Sequence, residues 1–277
     1  MRIGNRDFDF ADHTYLMGIL NVTPDSFSDG GSYADTEEAL LRVFVMEKEG
    51  MDILDIGGES TRPGASFVSE EEELGRVLPV IEALRKVSDI PLSVDTRRAR
   101  VAEAALDAGA DLINDVSGLE DPGMAPLIAE RGVPYVLMDP SFQGDGPEEG
   151  SGKRVLASMM ALAEKAERAG ILREQLILDP GIGFHGSGKV DLDIVRELPA
   201  ICSAGYPVLV GGSRKSFLGK LYAERMGRET DAKERVGGTV ALTFAATLAG
   251  AGIIRVHDIW DNVQGVALAE GMMRRPV

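Results

Sequence analysis

Three features are scarce in this sequence of 277 residues, and each scarcity carries information. There is one cysteine, Cys202, which excludes an intramolecular disulfide and a metal site built from several cysteines. Lysine and arginine number 29 against 45 aspartate and glutamate, for a net charge of −16, which argues against nonspecific binding to nucleic acid or anionic membranes. Aromatic residues make up only 5%, whereas glycine is abundant at 33 residues, which suits many tight turns.

Long hydrophobic runs are also missing. No uninterrupted apolar stretch approaches the eighteen or so residues of a transmembrane helix, and the opening residues Met1–Asp9 lack the apolar core of a signal peptide. We therefore expect a protein of the cytoplasm that binds neither nucleic acid nor membrane. Apolar residues at 44% and charged residues at 27% are near the average of globular proteins, which excludes gross disorder.

Short apolar runs alternate along the chain with longer segments of helical periodicity. Apolar residues dominate the centre of each run, as is typical of strands buried on both faces. The sequence predicts eight strands, at Thr14–Leu20, Asp52–Gly58, Pro91–Thr96, Asp111–Val116, Pro134–Asp139, Gln175–Asp179, Pro207–Gly212 and Ile253–Asp258.

The segments between these runs have helical signals. Ser69 and Glu72 have the spacing of a capping box, and the apolar stripe that follows has the 3, 4, 7 spacing of one helix face. A glycine ends several helical segments just before a strand, where a left-handed residue is favoured. The glycines in question are Gly50, Gly109, Gly132, Gly170 and Gly205.

Eight β-α repeats in a chain of this length predict a closed (β/α)8 barrel, a TIM barrel, formed by residues 1–277 as a single domain. A doubly wound open sheet is the alternative, but no Gly-x-Gly-x-x-Gly motif follows the first strand. The glycine-rich and acidic stretch Gln143–Lys153 is expected to form a long loop after the fifth strand.

In such a barrel the active site lies at the C-terminal ends of the strands. Asp95, Asn114, Asp179 and Lys215 follow strands three, four, six and seven, so we expect them to point into one cavity. Each alone could be a helix cap or a turn residue. Arg62, Lys215, Arg255 and His257 bring positive charge to the same end of an acidic protein, and convergence of this kind is typical of a ligand site.

These side chains suit a flat heterocycle with hydrogen-bond donors and acceptors along its edge. Asp179 can accept two N–H bonds from an aminopyrimidine edge, and Lys215 can donate to a ring carbonyl and a ring nitrogen. Asn21, Arg255 and His257 could hold a phosphate-type anion. The loop Gly211–Ser216, with the helix start that follows, could hold it instead, and the residues alone leave both choices open.

At these residues the sequence resembles the dihydropteroate synthase family of the folate pathway. The similar segments occur in the family's order over nearly the whole chain. They are Met17–Gly31, Asp55–Gly64, Ser93–Thr96, Ile113–Gly118, Leu178–Phe184, Ser213–Ser216 and Arg255–Asp258.

The resemblance implies a TIM-barrel transferase. The family joins 6-hydroxymethyl-7,8-dihydropterin pyrophosphate to 4-aminobenzoate and releases 7,8-dihydropteroate and pyrophosphate. The reaction implied is a dissociative substitution, in which preorganised charge stabilises a pterin-methyl cation and the departing anion. The residues implied to be catalytic are Asp95, Lys215, Arg255 and His257.

The resemblance also implies which residues bind the substrates. The pterin would contact Asp95, Asn114, Asp179 and Lys215, with Met138 as an apolar wall and Arg255 stacking on the ring. Pyrophosphate would contact Asn21, Thr61, Arg255 and His257, and Asn21 would also meet a Mg²⁺ ion. The loops Thr23–Gly31 and Thr61–Ala65 would hold aminobenzoate, and the other residues assigned to the substrates are Arg62, Pro63, Phe184, Gly211, Lys215 and Ser216.

Two segments depart from the family pattern. After strand five the family carries a His-Met pair and a glycine, whereas this chain has Leu137-Met138-Asp139-Pro140. After Phe184 the family goes quickly to Gly-Lys, whereas this chain inserts His185-Gly186-Ser187 before Gly188-Lys189. Neither segment contains the polar residues predicted to bind pterin.

Two other functions are compatible with a pterin site. A methyltransferase that uses methyltetrahydrofolate and a corrinoid protein shares the barrel and the Asp/Asn pocket, but has no use for the Ser60–Gly64 loop or for Ser213–Ser216. A non-catalytic pterin-binding paralogue is the second alternative, supported only by the altered strand-five motif. The resemblance further implies a homodimer and competition by sulfonamides.

Overall fold

The computed structural model describes residues 1–22, 33–59, 68–138, 140, 150–186 and 188–273, with the backbone alone at 33–35. Within these ranges the chain alternates strands and helices from residue 15 onward. Thr61, Arg62, Pro63 and Asp139, and the predicted loops Thr23–Gly31 and Thr61–Ala65, lie outside the described residues.

The strands form two sheets. A small antiparallel hairpin joins β1 (Arg2–Ile3) to β2 (Arg6–Asp7). The larger sheet has eight parallel strands in the order β8-β7-β6-β5-β4-β3-β10-β9. Its members are β3 (Tyr15–Asn21), β4 (Ile53–Gly57), β5 (Leu92–Asp95), β6 (Leu112–Asp115), β7 (Tyr135–Met138), β8 (Leu176–Asp179), β9 (Leu209–Val210) and β10 (Ile253–Val256).

Helices connect successive strands of the larger sheet. Two helices, α7 and α8, lie between β9 and β10, and α9 follows the last strand. The α-helices of the described residues are α1 (Tyr33–Glu49), α2 (Glu70–Leu84), α3 (Ala99–Asp107), α4 (Met124–Arg131), α5 (Ser151–Arg168), α6 (Gly188–Cys202), α7 (Ser216–Met226), α8 (Val236–Leu248) and α9 (Ile259–Met273).

The larger sheet closes into a barrel. A parallel bridge pairs Leu178 with Val208, and the Leu178 N–H donates to the Pro207 carbonyl at 2.9 Å, so that β8 meets the segment leading into β9. This contact joins the two ends of the strand order. The (β/α)8 barrel predicted from the sequence is therefore confirmed, and the open doubly wound sheet is wrong.

The helix signals are confirmed as well. The Ser69 hydroxyl accepts a hydrogen bond from the Glu72 N–H at 3.2 Å at the start of α2, and the apolar stripe of α2 packs into the core. Each of the five glycines predicted to end a helix has a positive φ, from +64° at Gly132 to +110° at Gly109. Residues with a side chain rarely adopt a positive φ, which explains why glycine occupies these five positions.

Some predicted bounds are wrong. The seventh strand is shorter than Pro207–Gly212, because only Leu209 and Val210 pair with β10 in the ladder. The predicted loop Gln143–Lys153 extends too far, since α5 already begins at Ser151; most of that stretch lies outside the described residues. Among the helices that are described, none has the length and apolar character needed to span a membrane.

The N-terminal hairpin fills the bottom of the barrel, a feature that the sequence analysis did not predict. Ile3 and Phe8 are buried in one apolar cluster with the first inward residues of the strands. The strand residues in this cluster are Met17, Ile53, Leu112, Val136, Ile177, Leu209 and Ile253. One end of the barrel interior is thus closed by apolar packing.

Candidate active site

The polar side chains at the other end of the barrel follow from the alternation of a strand. Successive side chains point to opposite faces, so the residue two positions beyond an inward residue also points inward. Four residues of the apolar bottom cluster are each followed, two positions later, by a polar side chain. The pairs are Ile53 and Asp55, Leu112 and Asn114, Ile177 and Asp179, and Ile253 and Arg255.

Arg255 is the centre of this polar layer. Its Nε donates to Asp55 Oδ2 at 2.6 Å, and its Nη2 donates to Asp95 Oδ2, also at 2.6 Å. Asn114 Nδ2 donates to the same Asp55 oxygen at 3.2 Å. The guanidinium thus binds two buried carboxylates and the carboxamide binds one of them, with the four residues supplied by β4, β5, β6 and β10.

The charges in this cluster perturb each other. Burial raises the pKa of Asp95 to about 7, because desolvation and the neighbouring Asp55 charge outweigh the attraction of Arg255. Burial by itself would lower the pKa of Arg255, but Asp55 and Asp95 raise it above its ordinary value. Arg255 therefore stays cationic, and Asp95 is the group of this pair whose charge changes near neutral pH.

Two acceptors in the polar layer have no hydrogen-bond partner among the described residues. They are Asp55 Oδ1 and Asn114 Oδ1, both buried. An unsatisfied buried acceptor costs about 1–3 kcal/mol, so these two atoms favour a bound ligand that supplies the donors. A heterocycle with N–H groups along its edge meets this requirement.

Asp179 and Lys215 lie beside this layer, and each influences the charge of the other. Asp179 Oδ1 accepts the Gly181 N–H at 2.8 Å. Burial raises the pKa of Asp179 to about 6, although the Gly181 N–H and the charges of Arg255 and Lys215 act in the opposite direction. Burial lowers the pKa of Lys215 to about 8, and the Arg255 charge contributes to this lowering. Both groups are thus poised to exchange protons near neutral pH.

The loop that follows β8 shapes the cavity wall beside Lys215. Gly183 has a φ of +87°, and a Cβ there would lie 2.5 Å from Lys215 Cδ, so only glycine allows the two segments to approach. The Gly183 N–H donates to buried Asp191 Oδ1 at 2.8 Å, which holds the loop in place. Lys215 Nζ lies 3.7 Å from the centre of the Phe184 ring, in a cation–π contact.

Ser213 and His257 meet where β10 and the segment after β9 end. Ser213 Oγ lies 2.9 Å from His257 Nδ1, and it accepts the His257 backbone N–H at 3.2 Å. Next to them, Arg214 forms a two-pronged ion pair with Asp258. Arg214 has a φ of +55°, an uncommon conformation for a residue with a side chain.

These segments enclose a cavity of about 240 Å³ at the C-terminal ends of the strands. Eight of the side chains or backbone positions predicted from the sequence line it. They are Asn21, Asp95, Phe184, Gly211, Lys215, Ser216, Arg255 and His257. Asp179 reaches the same region, since its Oδ2 lies 3.7 Å from where a Cβ of Gly211 would be.

Comparison with known proteins identifies the family to which this chain belongs. Residues 17–257 match the family described as pterin binding enzymes, a span that runs from β3 to His257. The chain belongs to this family. It is 42% identical to a dihydropteroate synthase of Clostridium beijerinckii, over 99% of this chain and all of the relative.

Solved structures of pterin-binding enzymes have the same fold. A dihydropteroate synthase of Clostridium difficile, determined in the presence of pteroic acid, is 39% identical, with a TM-score of 0.89 over 97% of this chain and all of that one. The dihydropteroate synthase of Xanthomonas albilineans with 4-aminobenzoic acid is 42% identical, with a TM-score of 0.88 over 96% of this chain and 95% of that one.

Met138, assigned to the pterin pocket, and Asp115, a neighbour of the assigned Asn114, have different roles in the structure. Met138 is buried and pairs in register with Asp179 between β7 and β8, and its sulfur lies 3.3 Å from the Cβ position of Gly181. Asp115, which follows Asn114, is structural: its carboxylate accepts hydrogen bonds from Tyr135, Ser117 and Leu119.

Two acidic residues of the polar layer and the cavity, Asp55 and Glu59, were not predicted from the sequence. Asp55 lies in the middle of an apolar strand and was treated as part of the strand; its signal is that it shares the parity of the inward residue Ile53. Glu59 also lines the cavity, where it accepts hydrogen bonds from Arg97 at 3.2 Å and Arg98 at 3.1 Å. Nothing in its local sequence distinguishes Glu59 from a loop carboxylate.

Proposed function

We propose that the protein joins 6-hydroxymethyl-7,8-dihydropterin pyrophosphate to 4-aminobenzoate and releases 7,8-dihydropteroate and pyrophosphate. The observation that carries this proposal is the buried polar layer around Arg255, with its two unsatisfied acceptors. A pterin ring supplies N–H donors along one edge, and the relatives in the family are dihydropteroate synthases.

The pterin binds along its aminopyrimidine edge. The Asp179 carboxylate accepts N–H groups of that edge, while Asn114 Oδ1 and Asp55 Oδ1 provide the acceptors that have no partner among the described residues. Lys215 donates to the ring carbonyl and a ring nitrogen. A site that requires these hydrogen bonds rejects rings without them, because its buried polar atoms would then stay unpaired.

The diphosphate lies beside the ring, against the cationic side of the cavity. Arg255 and His257 line this side, and Asn21 lies at the end of β3 next to β10. Arg255 is already held by Asp55 and Asp95, so its guanidinium is fixed before the substrate arrives, which is the condition for efficient electrostatic stabilisation.

The residues at this side fit a magnesium ion that is bound mainly by substrate and water. No group of three or more His, Cys, Asp or Glu side chains in the described parts of the chain could hold a metal ion by itself. Mg²⁺ keeps several waters and bridges phosphate oxygens with few protein ligands, and Asn21 would be such a ligand. The bound ion would neutralise charge on the diphosphate.

The substitution proceeds by early breakage of the bond between the pterin methylene carbon and the diphosphate oxygen. The bonding electrons leave with pyrophosphate, and the carbon becomes cationic. The Asp95 carboxylate stabilises this cation, while Arg255 and His257 stabilise the departing anion. The aminobenzoate nitrogen then forms the new C–N bond and loses a proton to solvent. Because this amine is a weak nucleophile, positioning matters more than a strong base.

Aminobenzoate binds at the outer part of the cavity. Phe184 and the Lys215 stem offer an apolar face, and Ser216 at the start of α7 offers a hydroxyl and a helix N-terminus to the carboxylate. Thr61, Arg62 and Pro63 are proposed to complete this subsite. Sulfonamide mimics of aminobenzoate are then expected to compete with it.

A condensation assay with pterin pyrophosphate and radiolabelled aminobenzoate tests the proposal. We expect Mg²⁺-dependent formation of labelled dihydropteroate, and loss of product in Asp95→Asn with product retained in the exposed control Asp107→Asn. Pterin binding without product would contradict the proposal and favour a non-catalytic paralogue. Methyl transfer from methyltetrahydrofolate to a corrinoid, without condensation, would favour the methyltransferase.

The proposal includes assembly as a homodimer. Three large apolar side chains on α9, Trp260, Leu268 and Met272, are each about 60% exposed, and such exposure favours burial against a partner. Light scattering of the purified protein measures its mass directly. A mass near that of one chain would contradict the dimer, and a dimer abolished by Leu268→Glu would support it.

A further inference from the structure

The contact between Ser213 and His257 determines more than the position of the imidazole ring. Ser213 is buried, and in the described part of the chain its hydroxyl oxygen has hydrogen-bond contacts to two nitrogens, both of His257. These contacts are 2.9 Å to Nδ1 and 3.2 Å to the backbone nitrogen. One hydroxyl therefore interacts with the same residue twice.

The two contacts together indicate the direction of the side-chain contact. A backbone N–H can only donate, so Ser213 Oγ accepts from the His257 backbone. The hydroxyl proton then needs an acceptor, since an unpaired buried donor is costly. Among the residues that the structure describes, His257 Nδ1 is the acceptor within reach. A neutral imidazole that accepts at Nδ1 carries its proton on Nε2.

We propose that Ser213 is a positioning residue that selects the Nε2–H tautomer of His257. This inference rests on the proposed function, because it assigns a purpose to the tautomer: His257 lines the cavity and presents an N–H donor to the departing diphosphate. With the opposite tautomer, the same ring would present a lone pair to an anion and repel it.

The surroundings hold this pair in one arrangement. Arg42 Nη2 donates to the His257 carbonyl at 3.0 Å, and Arg214, directly after Ser213, is tied to Asp258, directly after His257. The Arg214–Asp258 pair therefore links the two segments directly after the Ser213–His257 contact, and Arg42 holds the His257 backbone. The tautomer is set before substrate binds, at no cost in reorganisation during the reaction.

Nitrogen NMR of the unliganded protein tests the tautomer without reference to activity. The chain has only three histidines, His13, His185 and His257, so a spectrum of protein labelled in histidine is simple to assign with single substitutions. At about pH 8, where an ordinary imidazole is neutral, we expect a protonated Nε2 and an unprotonated Nδ1 for His257. A protonated Nδ1 in the wild-type protein would overturn the proposal.

Substitutions at Ser213 connect the tautomer with catalysis. Ser213→Ala should give a mixture of His257 tautomers. Because one oriented hydrogen bond is lost, KM for pterin pyrophosphate should rise about five- to tenfold. The dissociation constant of bare pterin should not change. Ser213→Thr keeps the hydroxyl and should behave as wild type. Ser203→Ala removes an exposed serine hydroxyl on the far side of the fold and is the matched control.

The outcomes separate this inference from the proposed function. A pure Nε2–H spectrum in Ser213→Ala, or a threonine variant that behaves like alanine, would overturn the role of Ser213. A wild-type protein that forms no dihydropteroate but shows the Nε2–H tautomer would refute the function and leave the tautomer assignment standing. If Ser213→Ala does not fold, the wild-type spectrum and the threonine variant decide.

Discussion

The Nη2 atom of Arg255 donates to Asp95 Oδ2 at 2.6 Å, across a sequence separation of 160 residues. This contact joins the residue proposed to stabilise the departing diphosphate with the residue proposed to stabilise the pterin cation. The same guanidinium also holds Asp55. The positive and negative side chains that the reaction requires are thus already paired in the unliganded protein.

Removing the guanidinium should destabilise the fold. Arg255→Ala leaves Asp55 and Asp95 buried without their cation, and breaking a buried pair in this way costs about 3–5 kcal/mol of unfolding free energy. Chemical denaturation measures this cost. Arg131→Ala, which removes an exposed ion pair with Asp107, is the control and should leave the denaturation midpoint unchanged. Equal midpoints for both variants would contradict the central place of Arg255.

The same variant separates ring binding from diphosphate binding. Arg255→Ala should raise the dissociation constant of pterin pyrophosphate more than that of bare pterin, because only the former presents an anion to the guanidinium. Calorimetric titration of both ligands checks this. Equal losses for the two ligands would indicate that Arg255 acts only by stacking on the ring.

Asp179→Asn should weaken pterin binding severely while it stabilises the unliganded protein at neutral pH. The amide turns one acceptor into a donor that faces an N–H of the ring. The raised pKa of Asp179, about 6 in the folded protein, means that the folded state favours the protonated carboxyl. The protonated Asp179 carboxyl therefore stabilises the folded protein fully below its unfolded-state pKa, which is near 4. This stabilisation is lost as the pH rises through the folded-state pKa, toward 6.

The Asp179→Asn variant has no such loss, so its stability advantage should appear between about pH 4 and pH 6 and then stay constant at about 3 kcal/mol. Denaturation of both proteins across this range measures it. A variant that is equally stable at every pH, or one that keeps its pterin affinity, would contradict the assignment of Asp179.

The pH dependence of kcat/KM should be bell-shaped. Asp95, with a pKa of about 7, loses its carboxylate charge as the pH falls, and Lys215, with a pKa of about 8, loses its ammonium charge as the pH rises. Activity should fall on both sides of this window, with limbs that report the free enzyme. Lys215→Arg should move the alkaline limb upward, while the exposed control Lys220→Arg should move neither limb. An unmoved limb in Lys215→Arg would assign it to another group.

The N-terminal hairpin should contribute to stability through its buried side chains. Ile3 is fully buried at the bottom of the barrel, so Ile3→Ala should cost about 2–5 kcal/mol. Leu41 on α1 is 66% exposed, and Leu41→Ala should change stability by less than about 0.5 kcal/mol. A negligible effect at Ile3 would show that the barrel bottom is closed by other contacts.

Much of the fold and part of the site were predictable from the sequence, because both depend on periodicity. Asp95, Asn114, Asp179 and Arg255 come at the ends of apolar strands, where a barrel gathers side chains at one rim. Asp55 was missed, since it sits within its strand and only its parity with Ile53 marks it as inward. The hairpin of β1 and β2 was missed because two-residue strands have no measurable period.

Contacts between distant segments could not be predicted. The approach of Ser213 to His257 depends on how the last two strands end. The cluster of Glu59 with Arg97 and Arg98 depends on how a residue just after β4 meets the residues just before α3. Neither has a local signal in the sequence, because the residues concerned are common in loops and at helix starts.

The central claim is that a pterin diphosphate lies in one cavity with its ring edge on Asp179 and its diphosphate on His257 and Arg255. A co-crystal structure with pterin pyrophosphate and an aminobenzoate mimic measures these distances directly. We expect Asp179, Asn114 and Lys215 within hydrogen-bond distance of the ring, and His257 Nε2 within that distance of a phosphate oxygen. A ring bound elsewhere, or these side chains facing separate ligands, would contradict it.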